Sequence, residues 1–117
     1  MKYSDLQRIK KIYEDANRLY KYICDNDISR EAILEDYTVQ WLVTTPIYNI
    51  GEHAYNLSRE YKQKHNDVPW NELAGIRHRL IHDYEDTNWN TVADALFDDL
   101  PILIKQLKFL IDEGDTN

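Results

Sequence analysis

Between Val92 and Leu110 the residues Val92, Leu96, Leu100, Leu103, Leu107 and Leu110 recur at intervals of three and four. That spacing draws one apolar stripe along a helix and is incompatible with the two-residue period of a half-buried strand. The rhythm returns three more times. Leu6, Ile9, Tyr13, Ala16, Tyr20 and Ile23 follow Ser4 and Gln7, whose separation fits a capping box, and this helix is expected to end near Cys24 to Asn26. Val39, Leu42, Val43, Ile47, Ile50, Ala54 and Leu57 predict a long helical segment from Asp36 to Lys64. Trp70, Leu73, Ile76, Leu80 and Ile81 predict a shorter one. Ser29 can cap a brief helix through Leu34. The expectation is an all-α bundle of about four major helices plus a short helix, a single domain over residues 1–117.

The few helix-breaking residues carry their own expectations. Pro46 removes a donor inside the long segment and predicts a kink near Thr44. Gly51 opens room for close approach, which packing explains more simply than a ligand. Pro69 suits the first turn of the next helix, after the break at His65-Asn66-Asp67-Val68. The last helix is expected from about Trp89 to Asp112, bent at Pro101 and stopped by Gly114. Most of the nine tyrosines and three tryptophans fall on helical stripes, where core packing accounts for them better than base stacking.

Charge narrows the function classes. A formal net charge of -7 argues against a broad nucleic-acid-coating surface. Positions 59 to 82 run the other way: Arg59, Lys62, Lys64, Arg77 and Arg79 outnumber Glu60, Asp67 and Glu72, with His65, His78 and His82 among them. A local basic patch on an acidic body suits a site that engages a few phosphates. No apolar run follows the N-terminal residues, none reaches the roughly 18 residues of a membrane span, and Cys24 stands alone. The expected setting is the cytoplasm, away from membranes. His78 and His82 share a helix face, but no Glu-x-x-His or cysteine pair completes a zinc site, so neither metal nor cofactor is expected. A phosphate-cradling glycine loop and a Ser/His/Asp arrangement are also missing from the sequence.

Residues Gly75 to Tyr84 read G-I-R-H-R-L-I-H-D-Y. Arg77 offers a permanently charged fork that matches phosphate oxygens. Histidine, the residue type at His82, has a free pKa near neutrality and can act as acid or base, and Tyr84 carries a hydroxyl that can be modified. Geometry complicates the grouping: five positions on an ideal helix separate Arg77 from His82 by ~140°. They converge if the helix ends near His82, if Arg77 reaches around, or if a second chain supplies the other half. Two solvated residues at a helix end, where cations suit the dipole, remain the plain alternative.

These residues resemble the R-x4-H-x-Y signature of HEPN-domain toxins, the HepT-like family, written here as Arg77-His78-Arg79-Leu80-Ile81-His82-Asp83-Tyr84. The likeness extends outward. Ile50-Gly51-Glu52-His53-Ala54 is similar to the family's I-G-E-x-A. Val68-Pro69-Trp70 followed by Gly75-Ile76-Arg77 is similar to its P-W-x-x-x-x-G-x-R, and Asp99-Leu100-Pro101 with Leu103 to its D-L-P-x-L.

The resemblance implies a HEPN-type helical bundle that acts as a homodimer, with two motifs meeting in a cleft, and cleaves RNA without metal. On that basis Arg77 binds the scissile phosphate and His82 is the acid/base that assists attack by the 2′-OH. His78 and Glu52 are auxiliary; the family more often carries Asn or Asp where His78 stands. The resemblance also implies a partner, a small nucleotidyltransferase antitoxin that uses ATP to transfer AMP units to Tyr84. A second reading keeps the fold and drops the chemistry: a non-catalytic nucleotide- or substrate-binding partner of a nucleotidyltransferase. An intact Arg77, His82 and Tyr84 set favours the enzyme.

Overall fold

The computed structural model describes residues 2–82 and 84–116, apart from the side chains of Ile81, Tyr84, Asp115 and Thr116. Helix α1 spans Asp5–Asp25 and opens on the expected capping box: Ser4 Oγ accepts the Gln7 N–H at 3.1 Å and Gln7 Oε1 accepts the Ser4 N–H at 2.8 Å. It closes by turning left-handed at Asp27 (φ 49°), so that the Ile28 N–H reaches back to the Ile23 carbonyl at 3.0 Å. Helix α2 (Arg30–Glu35) is capped by Ser29, as its sequence suggested.

The expected helix from Asp36 to Lys64 is two helices, α3 (Tyr37–Tyr55) and α4 (Arg59–Lys64). Side chains divide them. Asn56 Nδ2 donates to the Glu52 carbonyl at 2.8 Å, ending α3, and Ser58 Oγ accepts the Tyr61 N–H at 3.1 Å, starting α4. Ser58 is further tied to α1 through Asp5, at 2.8 Å from its N–H and 2.6 Å from its hydroxyl. Such local bonds compete with the helical ladder, and here they win. Pro46, by contrast, lies within α3, which runs through it from Tyr37 to Tyr55.

Helix α5 (Trp70–His82) begins one residue after Pro69, whose carbonyl accepts the Leu73 N–H at 3.2 Å. A 3₁₀ turn (Tyr84–Asp86) leads to Asn88, whose side chain caps α6 (Trp89–Asp94). The last predicted helix is interrupted, because the Pro101 ring has no N–H and crowds the carbonyl four residues back. A π turn over Ala95–Asp99 absorbs the mismatch before α7 (Leu100–Thr116). Gly114 does not stop that helix. It lies within α7 against α1, where an added Cβ would come within 2.9 Å of Leu6 Cδ1.

Helix α3 packs against both α1 and α5, α1 also packs against α7, and α2 lies on α6. Ile9, Ile12, Ile33, Val43, Leu96 and Leu107 are fully buried where these elements meet. Each such side chain stabilises the bundle by about 1.5–3 kcal/mol relative to exposure. The stripe from Val92 to Leu110 is buried throughout. Among the described residues there is no strand, no buried polar residue, and no helix long and apolar enough to cross a membrane.

The aromatic residues depart from expectation. Trp70 is buried and Tyr13, Tyr20, Tyr61 and Trp89 pack on the core. Tyr37, Trp41, Tyr48 and Tyr55 do not: they are exposed, 61%, 61%, 37% and 60% respectively. Their spacing of four, seven and seven keeps them on one face of α3. The periodicity that marks a core stripe therefore marks an outward one here.

Candidate active site

The site is built where α5 crosses α3. The start of α5 is pinned by Trp70, buried to 4%, whose indole N–H donates to the His65 carbonyl at 3.0 Å. Two turns on, the helix passes Gly51 of α3 so closely that a Cβ there would meet Arg77 Cβ at 2.4 Å and the Leu73 carbonyl oxygen at 2.8 Å. Gly51 thus serves close helix packing, as the simpler of its two readings had it, and that packing sets Arg77 beside its neighbour Glu52.

Arg77 Nη1 lies 3.1 Å from Glu52 Oε2, with the arginine side chain 19% exposed and the glutamate 40%. Two tyrosines complete the surroundings. The guanidinium carbon sits 5.3 Å from the Tyr55 ring centre and 5.9 Å from that of Tyr48. Contacts of this kind favour a cation by about 0.5–1 kcal/mol at exposed sites and more where water is excluded. Nε is buried and has no hydrogen-bond partner, leaving a donor whose desolvation is uncompensated. A guanidinium has five donors in a fixed fork. Holding it by packing, one carboxylate and two rings fixes its plane while leaving capacity for an anion. Neither Tyr48 nor Tyr55 was singled out from the sequence. Their seven-residue spacing, in line with Tyr37 and Trp41, was the available signal.

His82 is on another side of α5. It is exposed, and its ring lies 4.5 Å from that of His78, tilted by 50°, as positions four apart on a helix allow. The structure therefore brings Glu52 to Arg77 and His78 to His82, in two separate groups. Arg79 is exposed. Tyr84 belongs to the 3₁₀ turn that follows α5; its side chain lies outside the described residues, as does Asp83.

His53, beside Glu52 on α3, faces α1 instead. Arg8 Nη1 lies 3.1 Å from His53 Nδ1, and the Tyr3 ring meets the imidazole edge-on at 5.6 Å. Burial pushes the His53 pKa down, and the charges of Arg8 and Lys11 push it further. An arginine only donates, so Nδ1 carries no proton in this bond. His53 is a neutral acceptor between helices and belongs to the packing.

Residues 4–110 match the family described as Ribonuclease HepT-like. The chain is 34% identical over 86 residues to a Caldanaerobacter subterraneus subsp. tengcongensis protein named "Putative RNase", covering 74% of this chain and 77% of that one. A Methanocaldococcus jannaschii protein, also named "Putative RNase", is 31% identical over 88 residues, 75% and 73% of the two chains. "Probable ribonuclease HepT" of Thermococcus cleftensis is 30% identical over 81 residues, 66% and 74% of the two chains. No solved structure matches the chain. The family match runs from Ser4, the cap of α1, to Leu110, the last buried leucine of α7, and the chain belongs to the HepT-like ribonuclease family.

Proposed function

We propose that this ribonuclease-family chain is the toxin of a toxin–antitoxin pair, a metal-independent endoribonuclease that works as a homodimer. The observation that carries the reading is the arrangement on α5. A guanidinium fixed by Glu52, Tyr48 and Tyr55 shares its helix with an exposed imidazole. In the proposed reaction the scissile phosphate takes the unoccupied donors of Arg77, which stabilise charge developing on its oxygens. His82 removes the proton of the ribose 2′-OH as that oxygen attacks phosphorus. The bond from phosphorus to the 5′-oxygen breaks, an imidazolium returns a proton to the leaving oxygen, and a cyclic phosphate and a 5′-hydroxyl remain. The need for a 2′-OH selects RNA over DNA. Glu52 is a positioning residue, and His78 orients or supplements His82.

The homodimer answers the separation of the two groups, because a two-fold axis beside α5 sets Arg77 of one copy toward His82 of the other. The line Tyr37, Trp41, Tyr48 and Tyr55 supplies large exposed aromatic area next to Arg77, of the kind that anchors interfaces. The proposed control is a nucleotidyltransferase antitoxin that transfers AMP from ATP to Tyr84, releasing pyrophosphate. The added phosphates stand where the RNA backbone binds and repel it.

The test is cleavage of total RNA by purified protein in excess EDTA, beside His82→Ala, with the intact mass of both samples recorded. Cleavage that persists in EDTA and disappears in the variant is expected. Undiminished cleavage by His82→Ala removes the assigned acid/base, and loss of wild-type cleavage in EDTA removes metal independence. An inactive, unmodified wild type returns the chain to the substrate-binding reading.

A further inference from the structure

A cavity of about 280 Å³ opens between α3, α5 and α7, and neither His82 nor the tyrosine line of α3 is among its lining residues. Its walls are Ile47 and Ile50 of α3, Leu73 and Ile76 of α5, and Ile102 and Leu103 of α7. The π turn forced by Pro101 contributes to the same wall through Ala95, Leu96 and Asp99. All the charged side chains lining this groove are acidic: Asp67, Glu72 and Asp99. No ion pair joins any of these three to a described residue. Burial raises the Asp99 pKa above its ordinary value, and the nearby charges of Asp98, Glu72 and Asp94 raise it further. Of those, Asp94 has a partner, Arg30, at 2.7 Å.

Exposed apolar side chains stand beside the groove. Ile102 at its lip is 59% exposed, and Phe109, seven residues on and so on the same side of α7, is 67% exposed. The two stand ~10 Å apart along the helix axis. Lys105 lies on the same helix but is not among the lining residues. An apolar groove whose wall runs from Val92 to Gln106, with three carboxylates among its lining residues, suits an amphipathic helix with anchors at i, i+3 or i+4, and i+7. The uncompensated negative rim selects the sign of the flanking charges.

We infer that this groove docks an amphipathic helical segment of a partner protein, with branched aliphatic anchors flanked by Lys or Arg. The surface is separate from the tyrosine line and from Arg77, so a partner seated there leaves both free. The inference does not depend on the ribonuclease reading.

The test is selection of a displayed library of random amphipathic helices on the full chain, with counter-selection on Ile102→Lys. Ile102 is exposed, so this variant keeps the fold, and its melting curve checks that. Binders lost to Ile102→Lys are expected to carry aliphatic anchors and a positive charge. Their affinity should fall at least threefold on the Glu72→Gln/Asp99→Asn double variant, while the melting curves of both variants stay those of a folded chain. Ile102-dependent binders that are neutral or acidic overturn the inference, and so does a failure to recover any. Self-association that Ile102→Lys abolishes overturns it too, since the occupant is then a second copy of this chain.

Discussion

The two ends of the Arg77–His82 stretch are built in opposite ways. Around Arg77 there is a close helix crossing at Gly51, an ion pair, two aromatic rings and a desolvated Nε. Among the described residues, His82 is exposed and meets the ring of His78. Within the described residues, one chain therefore fixes the Arg77 guanidinium and leaves the His82 imidazole exposed. The difference teaches where precision is supplied. On the proposed reading, a phosphate clamp depends on a fixed plane, which folding of a single chain provides, and the proton-transfer geometry is finished only by a second copy.

The contrast makes its largest prediction about paired substitutions. His82→Ala is expected to lower RNA cleavage by about 10²–10⁴-fold, the usual worth of a general acid/base, while leaving the melting temperature unchanged. Arg77→Ala is expected to lower cleavage comparably and also to destabilise the fold by about 1–2 kcal/mol, since it removes a part-buried ion pair and two cation–π contacts. Cleavage rates and thermal melts on the same preparations check both. Equal stability loss in the two variants erases the asymmetry on which the comparison stands.

Next in size is the proposed interface. Trp41→Glu places a charge in the exposed aromatic line of α3 and is expected to raise the dimer dissociation constant at least about 30-fold, the effect of losing one interface hot spot. Sedimentation velocity over a concentration series reads this directly. Cleavage by the variant should then depend steeply on protein concentration; a monomer as active as wild type shows that one chain brings Arg77 and His82 together unaided. Smaller still is Gly51→Ala. Its methyl group meets Arg77 Cβ and the Leu73 carbonyl, so α3 and α5 must separate, at a cost of about 1–3 kcal/mol for overpacking. Chemical denaturation measures it, and an unchanged midpoint denies that Gly51 sets the crossing.

Much of this was legible in the sequence, and what was not has identifiable causes. The stripe from Val92 to Leu110 forecast its own burial because periodicity reports which face is apolar. It could not report that Tyr37, Trp41, Tyr48 and Tyr55 form an outward face, since exposure depends on what packs against a helix. The division of α3 from α4 was written in Asn56 and Ser58, yet a helical apolar rhythm ran across both and outweighed two capping residues. The bend expected at Pro101 became a π turn, a choice between two ways of relieving one clash. Within the site, the Arg77 and His82 spacing already implied divergent faces. The Glu52 ion pair was a matter of which residues the Gly51 crossing brings level, and only the fold supplies that.

The smallest prediction concerns His53, on the far side of α3 from Arg77. His82 is exposed, whereas His53 is half-buried, accepts a hydrogen bond from Arg8 and has a pKa held below 6.5 by burial, with Arg8 and Lys11 adding to it. Between that lowered value and 6.5 the unfolded chain binds a proton at this position and the folded chain does not. Stability consequently rises with pH across the window, is fully present above about pH 6.5, and is lost as pH falls through the folded value. Asp15 works in the opposite sense in a more acidic window, because burial raises its carboxyl above 3.8 and the folded state there holds the extra proton. Melting temperatures recorded from pH 7.5 to 5.5 should fall more steeply for wild type than for His53→Gln. Equal slopes for the two proteins deny that burial and the Arg8 contact hold His53 neutral in the fold.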